Sequence, residues 1–382
     1  MWAHAVDSLV CPRCSRSLQV RVVRDEPATG ALPTASAMDT ANPTGMRWVE
    51  SGVLSCPDCR CIYPIHRGVP ILLRYTTSFA QTAYEALPQP MRRELRSAGF
   101  GFSGDGAPLG ERHVGASFST EWQAYEYGTT LWTASTADRT QAFRGECGLK
   151  DGDLIGKRFC EIGCGLGILT NEAAAGLGAE AWGMDLSTAV FRAAAQFKNN
   201  PRVHFVQASI FAAPFKPQQF DFVYSHGVLH HTWSTKEAVV RAASLLRPGG
   251  TLYVWLYGFD DVRISLARRV AYAVENVTRP LIARLPGPMA TLVLAPTIPA
   301  YILASYMGLK SGTHGSTYSA SQALHAARDR FTPLFAHRHQ FEEVAGWYQE
   351  LGLKAVHRVA GDEVPATWSP AIARNVSIRG RR

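Results

Sequence analysis

The 382-residue chain has no long run of lysine or arginine of the kind that forms a nucleic-acid-binding arm, although its formal net charge is +8. The positive excess is spread thinly, which is compatible with an anionic partner and specifies none. Charged residues make up only 18% of the chain and hydrophobic residues 46%. The low hydrophobicity and high charge of a disordered chain are therefore absent. The stretch from Met1 to Cys14 lacks a basic start followed by an apolar run, so no secretory signal is expected and a cytoplasmic location is. Without an export signal, the eight cysteines read as metal ligands or packing residues rather than as disulfides. The length suggests about two domains.

What is present begins with those cysteines. Cys11-Pro-Arg-Cys14 and Cys56-Pro-Asp-Cys59 are two CxxC turns. Each turn can offer two thiolates to one tetrahedral zinc ion, and together they make a closed, structural site. Redox-active cysteines are the alternative. Cys61 is a spare near the second turn, and Cys164 reads as a small packing residue. The intervening stretch Pro27 to Gly45, rich in Ala, Thr and Pro, has no apolar period and is expected to be a loop whose length costs little once the site is closed. An apolar, strand-like run follows from Ile62 to Leu73. Residues 1–75 are therefore read as a zinc-binding unit, and 76–115 as a connector with weak helical pattern and a glycine-rich break at Gly99–Gly110.

From residue 116 onward, strands and helices alternate. Strands are expected at Arg158–Ile162, Ala179–Met184, Val203–Gln207, Phe220–Ser225, Thr251–Tyr257, Lys354–Val359 and Ala373–Ile378. Helices are expected at Ile168–Leu177, Ala189–Phe197, Lys236–Leu246 and Phe341–Leu351, with Pro248-Gly249-Gly250 as a turn. This alternation predicts an α/β fold with a parallel sheet covered by helices on both faces.

The strongest chemical signal is Glu161-Ile-Gly163-Cys164-Gly165-Leu-Gly167, a strand ending in a carboxylate and a turn with three glycines at alternate positions. Ligands bind at the carboxyl ends of strands in such sheets. The third glycine of the dinucleotide fingerprint is missing, because Ile168 stands there, and so are the Lys and Ser/Thr of a P-loop. Nicotinamide and nucleoside-triphosphate binding are disfavoured. Asp185 follows at the end of the second strand, 18 positions after Gly167, where a carboxylate can accept both ribose hydroxyls. Gln207-Ala-Ser209-Ile210 closes the third strand, where an adenine edge can be met.

This ordered series resembles the class I S-adenosylmethionine-dependent methyltransferases, strongly over residues 150–257 and by topology over 340–382. The resemblance implies a Rossmann-like, seven-stranded sheet in a methyltransferase domain spanning 116–382. It assigns Glu161, Gly163, Cys164, Gly165 and Gly167 to the methionine part of S-adenosylmethionine. Asp185 and its neighbour Leu186 take the ribose, Ser209 and Ile210 the adenine, and Ser225 the end of the fourth strand beside the methyl group. The family often has Asp where this chain has Ser209. The segment Cys61 to Leu73 is similar to the small zinc proteins that activate tRNA methyltransferases.

Methyl transfer from a sulfonium is an in-line displacement that depends chiefly on alignment and exclusion of water. A base is needed where the acceptor must lose a proton. His226, His230 and His231 in SHGVLHHTW lie just past the fourth strand and are the candidates; the alternative is that they orient the loop or pack. Tyr125, Tyr127 and Trp132 are candidate lid residues, since aromatic faces suit a sulfonium cation. Their alternative is core packing. His337 and His339 either reach the acceptor or cap the helix starting at Phe341, the cap being preferred.

Residues 261–335 interrupt the alternation as a helical, lid-like insertion. Leu285 to Leu309 carries no charge and is long enough to span a bilayer, but Pro286, Pro288, Pro296 and Pro299 argue against one continuous helix. The expectation is an insertion over the sheet that helps close the active site, with peripheral membrane contact through 285–309 as the sharper reading. The favoured function is methyl transfer to a small molecule, apolar or lipid-like. Alternatives are a tRNA or rRNA methyltransferase that engages substrate through the zinc unit, other chemistry with the same sulfonium, and a non-catalytic cofactor-binding scaffold.

Overall fold

The computed structural model describes residues 1–27, 46–124, 135–259, 266–307 and 317–382. The expected loop at 27–45 thus lies, beyond Pro27, outside the described residues. Strands in chain order are β1 (Gln19–Pro27), β2 (Arg47–Cys56), β3 (Cys61–His66), β4 (Val69–Leu72), β5 (Arg158–Ile162), β6 (Glu180–Asp185), β7 (Val203–Ala208), β8 (Phe220–His226), β9 (Leu246–Leu256), β10 (Lys354–Arg358) and β11 (Val376–Arg381). The helices are α1 (Ser78–Glu85), α2 (Gln89–Ser97), α3 (Glu111–Ala124), α4 (Thr136–Cys147), α5 (Ile168–Ala175), α6 (Ala189–Phe197) and α7 (Thr235–Ser244). They continue with α8 (Leu266–Ala283), α9 (Gly287–Leu294), α10 (Ile298–Tyr306), α11 (Ala320–Phe331), α12 (Phe341–Glu350) and α13 (Ser369–Ala373). The α/β class expected from the sequence is the class observed. The seven expected strands are β5–β11, and four N-terminal strands raise the described total to eleven.

The chain divides into two compact units. The first comprises Met1–Ala107, Asp151–Tyr224 and Val240–Thr251. Its strand order is β1-β2-β3-β4-β7-β6-β5-β8. The pairs among β1 to β4 are antiparallel. From β4 on the pairs are parallel, starting with Ile71 opposite Gln207. Strand β4, which pairs with the cysteine-bearing β3, therefore hydrogen-bonds directly to β7 of the Rossmann-like strands of this unit. The run from Ile62 to Leu73, expected as one strand, is two, because Arg67 and Gly68 turn the chain with φ of 48° and 75°. Paired positive φ values make the mirror-image turn that suits a two-residue hairpin. The connector holds two helices, α1 and α2, and Tyr84, Leu87 and Leu95 pack on Val53 and Ile62.

The second unit comprises Pro108–Lys150, Ser225–Val239 and Leu252–Arg382. In it β11 lies between β9 and β10, and β10 runs antiparallel to β11. The last strand starts three residues later than expected, because Ser369–Ala373 is helical with Pro370 in its first turn, where no donor is lost. Strand β9 starts at Leu246, five residues early, and takes in the glycine turn with Gly249 at φ 79°. The uncharged stretch forms α9, a 3₁₀ turn at Ala295–Thr297, and α10. Its prolines sit at or beside the starts of these pieces, where a missing N–H is harmless. Leu294, Tyr301, Tyr318 and Ala323 form the small core that joins α9 and α10 to α11.

Candidate functional site

The glycine turn is built in the first unit between β5 and α5. The N–H groups of Gly163 and Cys164 both donate to the Met184 carbonyl, at 2.7 and 3.2 Å. Asp185, buried at the end of β6, then grips the loop. Its Oδ2 accepts from Gly165 N–H at 2.7 Å, and its Oδ1 accepts from Ser187 N–H at 2.7 Å. Burial pushes its pKa above the usual carboxylate value, against the pull of these donors. A carboxylate has about four acceptor positions, so each oxygen keeps capacity for a hydroxyl. Glu161 is also buried and accepts from Thr170 Oγ1 at 2.5 Å, which ties the strand end to the first turn of α5. Gln207 Nε2 donates to the Leu186 carbonyl at 3.1 Å, joining the ends of β6 and β7.

The glycines differ in what they do. Gly163, Gly165 and Gly167 all have positive φ, at 76°, 51° and 72°. At Gly167 an added Cβ would lie 2.6 Å from the Phe205 ring and 2.8 Å from the Ala193 Cβ. This glycine is needed for close packing of the loop on β7 and α6. Cys164 is buried, and burial together with the charges of Asp185 and Glu161 pushes its thiol well above the ordinary value. A thiol so held is a packing group and a poor nucleophile. Ser209 Oγ accepts from Phe211 N–H at 3.2 Å and so caps the short turn Ile210–Ala212. Ile210 is buried beside it.

The three candidate histidines belong to the second unit and have different surroundings. His230 is fully buried, 4.0 Å from the Tyr257 ring and 4.2 Å from His231 between centroids. Burial, aided by the neighbouring imidazoles and Arg338, holds its pKa well below the usual value. His231 Nδ1 donates to the Phe335 carbonyl at 2.7 Å, and burial lowers its pKa to about 4. His226 differs in facing a carboxylate. Its Nδ1 lies 3.3 Å from Glu146 Oε1, and its ring stacks on Trp255 at 4.5 Å with 7° between planes. Glu146 is itself held by Arg139, whose Nη1 donates to both carboxylate oxygens at 3.2 and 3.3 Å. Burial lowers the His226 pKa, with Glu146 opposing. An Nδ1–H turned toward Glu146 leaves Nε2 as a lone-pair base, the arrangement general-base catalysis needs.

Glu146, Arg139 and Trp255 are absent from the residues picked out by sequence. The first two lie on α4 about 80 positions before His226, and no spacing rule couples them to it. The only local hint was a pair of ionic residues in a helix that turns out to bury them. Ser225, also buried, is the residue before His226 on β8. His337 Nε2 donates to the Thr232 carbonyl at 3.0 Å, and His339 bridges Glu343 and Thr235. Neither caps α12, whose start at Gln340 has no side-chain cap, so the expected capping role is corrected. The reason is that both imidazoles find nearer partners. Tyr125, Tyr127 and Trp132 lie outside the described residues.

The four cysteines of the CxxC turns come together in the first unit, with all Sγ atoms within 4.8 Å of one another. Cys11 and Cys59 are 3.5 Å apart at sulfur, and Cys14 and Cys56 are 3.4 Å apart. Tetrahedral zinc with bonds of about 2.3 Å requires sulfurs about 3.8 Å apart, so the cluster fits a four-thiolate ion with little movement. Cys61 turns away and donates to the Cys59 carbonyl at 3.6 Å.

A strand, a three-glycine turn, a helix and a buried acid at the next strand end make up the pattern that resembles class I S-adenosylmethionine-dependent methyltransferases. Residues 160–254 match the family described as methyltransferase domain. The ubiquinone biosynthesis O-methyltransferase of Burkholderia orbicola is 37% identical over 103 residues, covering 26% of this chain and 44% of that one. The protein of the same description from Cupriavidus pinatubonensis is 36% identical over 104 residues, covering 26% and 41%. The chain thus spans less than half the length of these relatives. Among solved structures, magnesium protoporphyrin IX methyltransferase from Synechocystis PCC 6803, with bound SAH, superposes with a TM-score of 0.43 and 15% identity, covering 71% of this chain and 99% of that one.

Proposed function

We propose that the chain transfers a methyl group from S-adenosylmethionine to a small-molecule acceptor, apolar or lipid-like. The observation that carries this reading is the lock between Asp185 and the Gly165 N–H at 2.7 Å, which couples the ribose-binding acid to the loop assigned to the methionine moiety. The cofactor supplies a methyl group on a sulfonium with a neutral leaving group. Glu161 holds the strand end through Thr170, Asp185 presents its remaining lone pairs to the ribose, and the glycine turn keeps the backbone close. His226 serves as the general base for an acceptor hydroxyl, with Glu146 and Arg139 fixing its ring. The relatives named for ubiquinone biosynthesis O-methylation support an acceptor of this kind. The four cysteines hold a structural zinc ion, which staples β2 to the turn before β1 and takes no part in transfer.

The test is incubation of the protein with methyl-labelled S-adenosylmethionine and a cell extract, with label counted in organic-soluble metabolites, RNA and protein. Label in the metabolite fraction is expected. Label confined to RNA would replace this reading with an RNA-modifying enzyme.

A further inference from the structure

We propose that the outer face of α8, α9 and α10 rests on the surface of an anionic lipid bilayer. On α8 the exposed apolar residues are Val270, Val274, Val277 and Leu281, at spacings of four, three and four. That is one stripe of a helix. Within the same helix Glu275 and Arg279 are buried and paired with each other, and Glu275 also pairs with Arg330 and Arg338. Glu275 and Arg279 of α8 thus turn inward while Val270, Val274 and Val277 face out, which inverts the usual arrangement of a surface helix.

The next segment extends the apolar surface. Gly287–Tyr306 is long and apolar enough to cross a membrane, yet little of it is buried. Leu292 is 75% exposed, Leu303 57% and Tyr306 76%. The 3₁₀ turn at Ala295–Thr297 and the prolines break the run into pieces, so it lies along a surface more readily than through one.

Two observations favour lipid over a protein partner. The first is hydrogen bonding. The hydroxyls of Thr278 and Thr297 donate back to carbonyls of their own turns, at 2.8 and 2.6 Å. A protein interface of ordinary size carries about one hydrogen bond per 100–200 Å². A face whose hydroxyls are already satisfied internally suits hydrocarbon, and exposed Tyr306 suits the headgroup boundary. The second is charge. From Leu266 to Met307 the sequence has four arginines, Arg268, Arg269, Arg279 and Arg284, against the single acid Glu275. Arg284 is exposed at the end of this helix. With Arg279 and Glu275 paired inside, the segment keeps an excess of arginine over acid, which complements anionic headgroups. This inference stands independently of the methyl-transfer reading.

The test uses the full-length protein in cosedimentation with vesicles of phosphatidylcholine alone and of phosphatidylcholine with about a third phosphatidylglycerol. Binding to the anionic vesicles is expected, weakened by salt, with little binding to neutral ones. The double variant Val277→Asp/Leu292→Asp, at exposed positions, should lose binding by about tenfold or more while keeping its circular dichroism spectrum and its affinity for S-adenosylmethionine. Binding that survives in a folded variant would overturn the proposal, as would failure to bind either vesicle or equal binding to both. So would a lipid-free dimer of the wild-type chain, seen by light scattering, that the variant abolishes, because a second copy would then occupy the face.

Discussion

Replacing Gly167 by alanine separates a glycine required by packing from one required only by a ligand. At φ 72° an L-residue is disfavoured by about 1–2 kcal/mol. The new Cβ would also stand 2.6 Å from the Phe205 ring and 2.8 Å from the Ala193 Cβ, neither of which is the free end of a flexible chain. Overpacking of this kind costs about 1–3 kcal/mol. The smaller entropy of the unfolded alanine chain offsets about 0.4–1 kcal/mol. The net loss is therefore about 1–4.5 kcal/mol. With a urea dependence of about 2 kcal/mol per molar, the midpoint should fall by about 0.5–2 M in urea titrations followed by circular dichroism, without any cofactor. Phe205→Leu should relieve part of this loss, so that the double variant is more stable than the sum of the two single effects by about 1 kcal/mol. A midpoint within about 0.3 M of wild type would refute the packing argument and return Gly167 to the ligand.

Further outcomes follow from the same geometry. The purified protein should hold one zinc ion per chain by atomic absorption, and Cys56→Ser should lower both the zinc content and the thermal midpoint; full stability without zinc would remove the metal from the account. His231 has a folded pKa of about 4 against an unfolded value of about 6.5, so the unfolded chain takes up the proton first. Its contribution is fully present above pH 6.5 and falls by about 3 kcal/mol as the pH drops toward 4. His231→Asn should flatten that slope in stability measured against pH, and an unchanged slope would contradict the burial argument. His226 should titrate by NMR below the ordinary imidazole value, and Glu146→Gln should shift it lower still because a stabilising negative charge is lost. An upward shift would show that Glu146 does not face this ring.

How much of this was legible in the sequence depended on how local each signal is. The order Glu161, Gly163, Gly165, Gly167 and Asp185 was readable because a strand end, a turn and the next strand end impose fixed spacings. The structure adds the hydrogen bond from Gly165 to Asp185, which no spacing reveals. The CxxC pairs were readable for the same reason, since each turn is self-contained. The split of the Ile62–Leu73 run into β3 and β4 is masked in the sequence because the run is apolar on both sides of the two-residue turn at Arg67-Gly68. The surroundings of the histidines were least legible. His226, His230 and His231 are neighbours in sequence, yet only His226 faces Glu146, a distinction made by packing between distant segments. The apolar stretch from Leu285 to Leu309 was recognised, but the valine stripe of α8 beside it was not, because arginines and a glutamate in the same helix mask it.

The central claim is that the cradle around Asp185 binds S-adenosylmethionine, and calorimetric titration of that cofactor into the wild-type protein and into Asp185→Ala and Asp185→Asn tests it most directly. Each hydrogen bond to a carboxylate is worth about 1.5–3 kcal/mol, so loss of both ribose contacts should weaken binding by about a hundredfold or more. The account predicts one site per chain in the wild type, that loss in the alanine variant, and an intermediate affinity in the asparagine variant, which keeps one acceptor oxygen. Equal affinity in all three proteins, each shown to be folded, would contradict it.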